Sequence, residues 1–391
     1  MKKSIKDANI KGQKVLVRVD FNEPVGNGEL TNDWRIKAAL PTLRYLLDNG
    51  NELIIMTHLG RPEGKAVADL KLDPVARRLE QLINHPVLKL DKITGKDVAE
   101  QIKRSRTKIV MLENLRFDPR EESNDPEFAQ ELADLGDVYV NDAFANSHRE
   151  HASVTSICKF LPAYAGLLMS KEIEVLTKAT EKPARPLAVL LGGAKISTKF
   201  GLLEKMLDRA DTLILGGGIA NTILAAMGKN VGKSLQEPNF HKQALDFLEK
   251  AKSKGVKVLL PEDAMVTQRV DINSEPTEKV IDELDENDII ADIGPKSVAT
   301  FTPAIDMAGT IIWNGPFGVT EFPQFSEHTE QLAKIISETD GYSIVGGGDT
   351  LVVIDRMFIH EKFGYVSTGG GAMLEFLEGK ELPGIACLPD A

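Results

Sequence analysis

The sequence has few cysteines, no excess of positive charge and no long apolar run. Cys158 and Cys387 are too few and too far apart along the chain for a disulfide framework or a zinc site, so we expect two inert buried thiols in a reducing compartment. The net charge of -11 argues against nucleic-acid and membrane-surface partners. No stretch approaches the roughly 18 apolar residues of a membrane span, and the start MKKSIKDANIKGQ lacks an export signal's apolar segment. We therefore expect a cytoplasmic protein.

Short β-branched segments alternate with longer segments of helical period along the whole chain. This alternation is typical of repeated βαβ units and parallel sheets, and 391 residues suit about two domains. The predicted strands are VLVRVD, LIIMTH, PVLKL, KIVMLEN and DVYVNDAF in the first half, then LAVLLGG, TLILGGG, VKVLLPE, TIIWNG, YSIVGGG and YVSTGGG. The fold class we predict is α/β, with two doubly wound, Rossmann-like lobes.

An amphipathic segment in the middle of the chain predicts the connection between the lobes. LLMSKEIEVLTKAT has helical period and ends at EKPARP, where two prolines stop a helix. We therefore predict a first domain over 1–167, a hinge helix over 168–182 and a second domain over 183–379.

The predicted strand ends of the first lobe carry cationic and polar side chains. Ligands of an open parallel sheet bind beyond the carboxyl ends of its strands. Several arginines at one rim suit a small polyanion such as a phosphate ester. Singly, each arginine could lie on the surface, Asp20 and Asn22 could cap a turn, and His58 could be structural. The candidates are Asp20, Asn22, Arg35, His58, Arg61, Arg116 and Arg149.

The predicted strand ends of the second lobe carry glycine turns. Such turns let backbone N–H groups approach phosphate oxygens, with added positive charge from helix N-termini. Asp349 and Thr350, after the glycines of GGGDT, offer oxygen atoms to a phosphate-bound Mg²⁺. Lys195 and Lys199 look like phosphate counter-charges. A tight turn, a helix cap and surface lysines are the alternative interpretations.

Two familiar nucleotide signatures are incomplete. GKNVGKS (228–234) has one residue too few for a P-loop and follows a predicted helix, while GGGIAN (216–221) lacks the third glycine of the dinucleotide fingerprint. Protein-kinase HRD and DFG motifs are missing from the sequence. A nucleotide site of another kind is required.

Nine motifs, in order across essentially the whole chain, resemble those of the bacterial phosphoglycerate kinase family. They are VRVDFNEPV, HLGRP, LENLRF, NDAF with SHREHAS, LGGAKISTK, GGGIANT, WNGPFGVTEFP, GGGDT and STGGGAMLEFLEGKELP. The resemblance implies reversible phosphoryl transfer from 1,3-bisphosphoglycerate to Mg²⁺-bound ADP in glycolysis, giving 3-phosphoglycerate and ATP. It also implies direct in-line transfer with closure of the two domains about the hinge.

The resemblance assigns roles to individual positions. The first domain would bind 3-phosphoglycerate through Asp20, Phe21, Asn22, Arg35, His58, Leu59, Gly60, Arg61, Arg116 and Arg149. Catalysis would use Arg35, Lys195, Lys199, Gly369 and Gly370. The nucleotide would contact Lys195, Lys199, Gly216, Gly217, Asn314, Pro316, Glu321, Gly347, Gly348, Asp349 and Thr350, with Asp349 as the Mg²⁺ ligand. Residues 380–391 would pack back on the first domain, and we expect a monomer.

The sequence departs from the family pattern at Glu23, Trp34 and Ala145, and the last two are next to substrate positions. Two rival functions are a two-lobed sugar-phosphate binding protein and a nicotinamide-dependent dehydrogenase. The first leaves Lys195, Lys199 and GGGDT unexplained, and the second requires a complete glycine fingerprint. Mg²⁺-dependent nucleotide binding would distinguish the kinase from both.

Overall fold

The chain forms two compact units in a computed structural model that describes residues 2–391. Unit 1 contains the residues up to Glu174 together with Glu381–Ala391, and unit 2 contains Val175–Lys380. The helix Leu167–Glu181 carries the chain from the first unit to the second. It ends two residues before Pro183, in the segment EKPARP.

A six-stranded parallel sheet forms the centre of unit 1. In spatial order its strands are Val87–Lys89, Ile109–Met111, Glu52–Met56, Lys14–Arg18, Val138–Asn141 and Ala163–Ala165. Val15 and Val17 pack in one apolar cluster with the helix Trp34–Asp48, while Leu16 points to the opposite face and is equally buried. Both faces of this strand are therefore covered, as its uninterrupted apolar sequence requires.

The α-helices of unit 1 lie between its strands in the sequence. They are Trp34–Asp48, Asp73–Ile83, Lys96–Arg104, Pro119–Glu122, Pro126–Ala133 and, from the end of the chain, Pro383–Ala386. A small hairpin pairs Val25–Gly26 with Glu29–Leu30. Short 3₁₀ helices of this unit are Ala68–Leu70, Leu115–Phe117, Phe144–Asn146 and Ser156–Lys159.

Unit 2 also contains a six-stranded parallel sheet. In space its strands run Lys257–Leu259, Thr212–Leu215, Leu187–Leu191, Thr310–Asn314, Tyr342–Gly346 and Tyr365–Val366. This is the doubly wound order 3-2-1-4-5-6, in which the winding direction reverses between the strands Leu187–Leu191 and Thr310–Asn314. The reversal opens a crevice at the carboxyl ends of these two strands.

The α-helices of unit 2 are Phe200–Met206, Gly217–Ala226, His241–Lys254, Pro295–Asp306, Glu327–Glu338, Gly348–Met357 and Gly371–Glu378. Its 3₁₀ helices are Pro238–Phe240, Ile281–Glu283, Pro323–Phe325 and His360–Lys362. No helix within residues 2–391 is both long enough and apolar enough to span a bilayer.

The predicted class, two doubly wound parallel-sheet lobes, is confirmed. The sequence interpretation missed the edge strand Ala163–Ala165 and a three-stranded antiparallel sheet of unit 2. That sheet joins Asp263–Thr267 to Thr277–Val280 on one side and Ile289–Ile293 on the other. Thr277–Val280 reads TEKV and is mostly exposed, so it lacks the apolar run by which the other strands were recognised.

Candidate active site

The polar residues predicted in the first lobe follow four neighbouring strands of the unit 1 sheet. Asn22 and Arg116, which come after different strands, both contact the backbone of Gly60. Asn22 Oδ1 accepts a hydrogen bond from Gly60 N at 2.8 Å, and the Arg116 guanidinium donates to Gly60 O at 2.8 Å. The turn of HLGRP is thus fixed by the side chains that the sequence predicted beside it.

Arg35 stands in the first turn of the helix Trp34–Asp48 and forms an ion pair with Asp20. The Asp20 carboxylate raises the pKa of the Arg35 guanidinium, although burial opposes the shift. Glu23, one of the departures from the family pattern, accepts a hydrogen bond from Arg35 N at 2.6 Å. Two carboxylates therefore hold Arg35, and its side chain remains 23% exposed.

Arg18 is a buried arginine that the sequence interpretation missed. Its Nε donates to Ser153 Oγ at 2.9 Å, and its terminal nitrogen lies 3.3 Å from His58 Nδ1. Ser153 in turn donates through Oγ to Glu121 Oε1 at 2.5 Å. Because Arg18 is a donor, His58 Nδ1 accepts and the proton of the neutral ring belongs on Nε2.

Burial, together with nearby arginines, favours the neutral form of His58 and His151. Burial, and then the charges of Arg18 and Arg116, lower the pKa of His58 well below its ordinary value. The same causes lower the pKa of His151 to about 3. Burial also lowers the pKa of Arg116 to about 10, against the opposing effect of Glu122. A bound anion would stabilise the charged form of Arg116.

The remaining predicted residues of unit 1 differ in exposure. Arg61 is exposed and Arg149 is half-buried, with Arg149 Nε 3.3 Å from His148 Nε2. Phe21 and Leu59 are buried, and their N–H groups donate within the protein, to Thr57 Oγ1 and Asn114 Oδ1. Their side chains and amides therefore support the site, whereas the two arginines are accessible to a ligand.

Unit 2 has two adjoining cavities at the carboxyl ends of its central strands. Their volumes are about 270 and 320 Å³, and both are lined by Gly193, Ala194 and Asp349. We call the pair the cleft. One half is rich in glycine and polar groups, including Lys195, Thr198, Lys199, Asn314, Gly347, Gly348, Thr350, Gly370 and Gly371. The other half has apolar walls and a polar rim, including Asn221, Leu235, Ile290, Ala291, Pro316, Phe317, Val319 and Glu321.

The three glycines of GGGDT have different surroundings. A Cβ at Gly346 would lie 2.3 Å from Met373 Sδ, so packing within the protein excludes a side chain. Gly347 has φ +103°, a conformation that favours glycine. At Gly348 a Cβ would have no atom within 4 Å, because the position faces the open cleft. Of the three, Gly348 alone leaves space for a ligand at its backbone.

Two predicted amides, those of Gly216 and Gly369, and the amide of Gly193 already donate to protein acceptors. Gly216 N donates to Leu191 O at 3.0 Å, Gly193 N to Pro316 O at 2.9 Å, and Gly369 N to Ser367 Oγ at 3.0 Å. The first-turn N–H groups of two helices, starting at Gly348 and Gly371, have no capping side chain in the described structure. Both starts line the cleft, so these are the amides that can meet an anion.

Lys199 and Lys195 have different environments, although they are four residues apart. Lys199 Nζ is buried and donates to Gly192 O at 2.7 Å, Asn314 O at 3.0 Å and Asn314 Oδ1 at 2.7 Å. Burial lowers the pKa of Lys199 to about 8, against the attraction of Asp349. Lys195 is exposed at the cleft. Lys199 therefore ties the two central strands together, while Lys195 is accessible to phosphate.

Asn314 and Thr350 also hold the cleft in shape. Asn314 Nδ2 donates to Gly346 O at 2.9 Å, and Thr350 Oγ1 accepts from Gly315 N at 2.7 Å. Asp349 is exposed in the first turn of its helix. Within residues 2–391 no group of three or more His, Cys, Asp and Glu side chains could hold a metal ion. A single accessible carboxylate fits Mg²⁺ that takes its other ligands from phosphate and water.

Comparison with known proteins identifies the family. The family model described as "Phosphoglycerate kinase" matches residues 5–380. The chain belongs to the phosphoglycerate kinase family. It is 47% identical over 388 residues to phosphoglycerate kinase from Dictyoglomus turgidum, covering 99% of this chain and 98% of the relative. It is 46% identical over 390 residues to that of Moorella thermoacetica, covering 100% and 99%.

Solved structures of phosphoglycerate kinases have the same fold. The Coxiella burnetii enzyme matches with a TM-score of 0.85 and 41% identity, and the Pyrococcus horikoshii enzyme with a TM-score of 0.85 and 32% identity. Each match covers 99% of this chain and 98% of the other. The chain is thus a phosphotransferase with a carboxyl group as acceptor, and it catalyses the ATP-generating transfer from 1,3-bisphosphoglycerate to ADP in glycolysis.

Several residues of the site do not occupy the strand-end positions by which the other candidates were predicted. Arg18 lies within an apolar strand that is covered on both faces. A charged residue in such a strand must be buried, and this alone marks it as a candidate functional residue. Leu235, Ile290 and Ala291 come from segments that follow no strand of the parallel sheet. Ile290 and Ala291 belong to the antiparallel sheet, which the sequence interpretation did not predict.

Proposed function

We propose that unit 1 binds 3-phosphoglycerate and that the cleft of unit 2 binds Mg²⁺ with ADP or ATP. The observation that carries the nucleotide assignment is the convergence of two helix starts without capping side chains, at Gly348 and Gly371, on one cleft. Both present N–H groups and partial positive charge to the same space, beside the exposed Lys195. A polyphosphate chain satisfies all of these groups at once.

In unit 1 the cationic cluster supports binding of the phosphate that is not transferred. Arg61 and Arg149 are accessible, Arg116 is held in place by Gly60, and His58 offers its Nε2 proton. Asp20 and Asn22 would orient the hydroxyl and carboxyl end of the glycerate, and Asn22 also accepts a hydrogen bond from Gly60 N. Phe21 and Leu59 contribute through the packing that fixes this turn.

In unit 2 the apolar half of the cleft would hold the adenosine. Gly217, Pro316 and Glu321 line it, and Gly216 lies beneath Phe317, whose ring a Cβ at Gly216 would meet at 2.2 Å. Leu235 and Ile290 add apolar walls that suit the face of a purine. The polar half would hold the phosphates near Lys195, Gly347, Gly348 and Gly370, with Lys199, Asn314 and Thr350 maintaining its shape.

The reaction requires little proton transfer. In the ATP-consuming direction the nucleophile is a carboxylate, which is ionised at neutral pH and requires no general base. The remaining work is to align two anions and to stabilise the phosphoryl group in flight. We assign this to Arg35 of unit 1 and to Lys195 and the amides near Gly369 and Gly370 of unit 2. Mg²⁺ held by Asp349 would neutralise phosphate charge when bound.

The metal requirement provides the direct test. We expect 3-phosphoglycerate-dependent ATP consumption that stops when EDTA removes Mg²⁺ and returns when Mg²⁺ is restored. Asp349→Ala should raise the Mg²⁺ concentration for half-maximal rate by about tenfold or more. Asp340→Ala, an exposed aspartate of the same unit, serves as the control. An unchanged Mg²⁺ dependence in Asp349→Ala would overturn the assignment of Asp349.

Direct transfer requires the two bound substrates to meet, so we further propose that binding both of them closes the domains. Solution scattering should show a smaller radius of gyration with both substrates than with either alone. A radius that stays constant would count against closure. We also propose a cytoplasmic monomer, which sedimentation of the purified protein would test.

A further inference from the structure

The two cysteines, far apart in the sequence, are neighbours in unit 1. Cys158 lies in the 3₁₀ helix Ser156–Lys159 and Cys387 follows the helix Pro383–Ala386, and their sulfur atoms are 2.9 Å apart. Both residues are free thiols and partly exposed. The expectation that both thiols are buried is therefore wrong, and residues 381–391, which belong to unit 1, bring the two thiols together.

The segment that carries Cys387 contacts the loop that carries Arg149. Gly384 N donates to Ser147 O at 2.8 Å, two residues before Arg149, and Asn141 Nδ2 donates to Gly384 O at 3.1 Å. A covalent bond at Cys387 would restrict both the segment and this loop.

We propose that Cys158 and Cys387 are a thiol pair that a small-molecule disulfide oxidises to an intramolecular disulfide, fastening residues 381–391 to unit 1. The thiolate of one cysteine attacks the oxidant and expels one thiolate, which leaves a mixed disulfide. The second cysteine, deprotonated, attacks the protein sulfur of that mixed disulfide and expels the other thiolate. Two electrons and two protons pass from the cysteines to the oxidant, which becomes two thiols.

Cys387 is the better first nucleophile. The hydrogen bond from Cys158, helped by the charge of Lys2, lowers the pKa of the Cys387 thiol against the effect of burial. The same hydrogen bond and burial raise the pKa of Cys158. Cys158 then lies within reach of the mixed disulfide on Cys387.

The test is incubation of the whole protein with oxidised glutathione, followed by alkylation and intact-mass measurement. We expect the wild type to lose both alkylation sites and two hydrogen masses, without a retained glutathione. Cys158→Ser should instead retain one glutathione on Cys387. A wild-type protein that keeps two alkylatable thiols, or retains glutathione on both, would overturn the proposal.

Hydrogen exchange supplies a second readout. Because the Gly384 N–H group donates to Ser147 O, its exchange should slow by about tenfold or more on oxidation of the wild type. The Cys158→Ser variant should show no such slowing. Equal exchange in oxidised and reduced wild type would show that the bond does not fasten the segment.

A separate observation concerns a buried carboxylate behind the cleft. Asp292 lies on the strand Ile289–Ile293 and caps the helix Glu327–Glu338. Its carboxylate accepts hydrogen bonds from His328 N at 2.9 Å, from Thr329 N at 3.4 Å and from Thr329 Oγ1 at 3.0 Å.

Thr329 connects this carboxylate to the wall of the cleft. Its Oγ1 also accepts from Gly318 N at 2.9 Å, in the segment 316–321 that lines the apolar half. Val319 N donates to Ala291 O at 2.8 Å, and Ala291 lines the cleft from the other side. One buried network therefore sets the spacing of two walls.

We infer that Asp292 and Thr329 are positioning residues for nucleotide binding, acting through Gly318. The inference rests on the proposed function, since it assumes that the nucleotide occupies this cleft. Neither side chain lines the cleft, so their effect must pass through the segment that Thr329 holds.

The test compares Thr329→Val with Ser297→Ala. Ser297 is equally buried and bonds through its hydroxyl to Asp263, which caps the neighbouring helix Pro295–Asp306, but neither residue contacts the cleft. Calorimetry should show the Kd for Mg²⁺-bound ADP raised by about tenfold in Thr329→Val. The Kd for 3-phosphoglycerate should stay unchanged, and Ser297→Ala should change neither constant.

The outcomes separate this inference from the proposed function. Leu235→Glu places a negative charge on an exposed part of the cleft wall and should weaken ADP binding directly. The positioning role is refuted, and the nucleotide site stands, if Leu235→Glu weakens ADP binding while Thr329→Val does not. The same conclusion follows if Leu235→Glu weakens binding and Thr329→Val has the same effect as Ser297→Ala. If neither Leu235→Glu nor Thr329→Val weakens binding, the nucleotide site itself is wrong.

Discussion

Gly346, Gly347 and Gly348 are consecutive, yet each has a different constraint. Packing excludes a side chain at Gly346, the backbone conformation favours glycine at Gly347, and Gly348 borders the open space of the cleft. A methyl group at Gly348 would enter the cleft without touching the protein, and alanine suits a helix better than glycine. Gly348→Ala should therefore keep or slightly raise the free energy of unfolding while raising the Kd for Mg²⁺-bound ADP by about tenfold or more. Urea unfolding and calorimetry measure the two effects.

Gly346→Ala is the matched control for Gly348→Ala. Its methyl group would meet Met373 Sδ, so we expect a loss of about 1–3 kcal/mol in the free energy of unfolding. If Gly348→Ala lowered stability as much as Gly346→Ala and left the Kd unchanged, phosphates would not bind at this turn.

Arg35 is held by Asp20 and Glu23 before any substrate arrives. A preorganised guanidinium stabilises charge that develops during transfer without a reorganisation cost. Arg35→Ala should therefore lower kcat by roughly 10² or more while the dissociation constants of both substrates change little. Arg77→Ala, an exposed arginine of the same unit, should have no effect. A change in KM with kcat intact would contradict this role for Arg35.

Much of the site was predictable residue by residue, because strand ends of a parallel sheet converge. Asp20, Asn22, His58 and Arg116 follow neighbouring strands and do lie together. What the sequence cannot reveal is which charges are internally paired. Lys199 resembles Lys195 in the sequence, yet its three acceptors come from Gly192 and Asn314, and only the fold brings these together.

At the scale of elements, a buried carboxylate sets the start of the helix that links the units. Asp142 Oδ1 accepts from Leu168 N at 3.0 Å and from Met169 N at 3.2 Å. Burial raises the pKa of Asp142 from 3.8 to about 6, against these hydrogen bonds. The Asp142 carboxyl group therefore binds its proton more tightly in the folded protein than in the unfolded chain, and the difference matters between pH 3.8 and about 6.

Stability should consequently fall as pH rises through this window. The contribution of Asp142 is fully present below pH 3.8 and is lost by about pH 6. The amide of Asp142→Asn does not titrate. Relative to that variant, the wild type should lose about 2 kcal/mol of unfolding free energy between pH 4 and 7. Urea unfolding at several pH values measures the difference, and parallel pH profiles would refute it.

Helices were predictable because each buries a periodic apolar face, as the helix Trp34–Asp48 shows, and parallel strands because they form short uninterrupted apolar runs. The antiparallel sheet was not, since Asp263–Thr267 and Ile289–Ile293 each contain an aspartate that reads as a surface residue. In the structure Asp263 and Asp292 are buried because each caps a helix. A charge satisfied by distant backbone N–H groups has no local signature.

At the scale of the whole molecule, the last residues complete the first unit. Leu382 and Leu388 are buried, and Lys2 Nζ donates to Leu388 O at 2.8 Å. Deleting residues 381–391 should destabilise unit 1 by at least about 3 kcal/mol, since two buried leucines are lost, and leave unit 2 unaffected.

The two tryptophans allow each unit to be followed separately. Trp34 belongs to unit 1 and Trp313 to unit 2. In Trp313→Phe the remaining fluorescence comes from Trp34, so its urea midpoint should fall after the deletion. In Trp34→Phe the remaining fluorescence comes from Trp313, and its urea midpoint should stay constant. Equal shifts from both tryptophans would mean that residues 381–391 support the two units alike.

This chain path also orders events during synthesis. A ribosome has made all of Val175–Lys380 before it makes the residues that finish unit 1. Unit 2 can thus fold first, while unit 1 stays incomplete until residues 381–391 have been made. Chaperones that bind the nascent chain would therefore bind the incomplete unit 1 rather than unit 2.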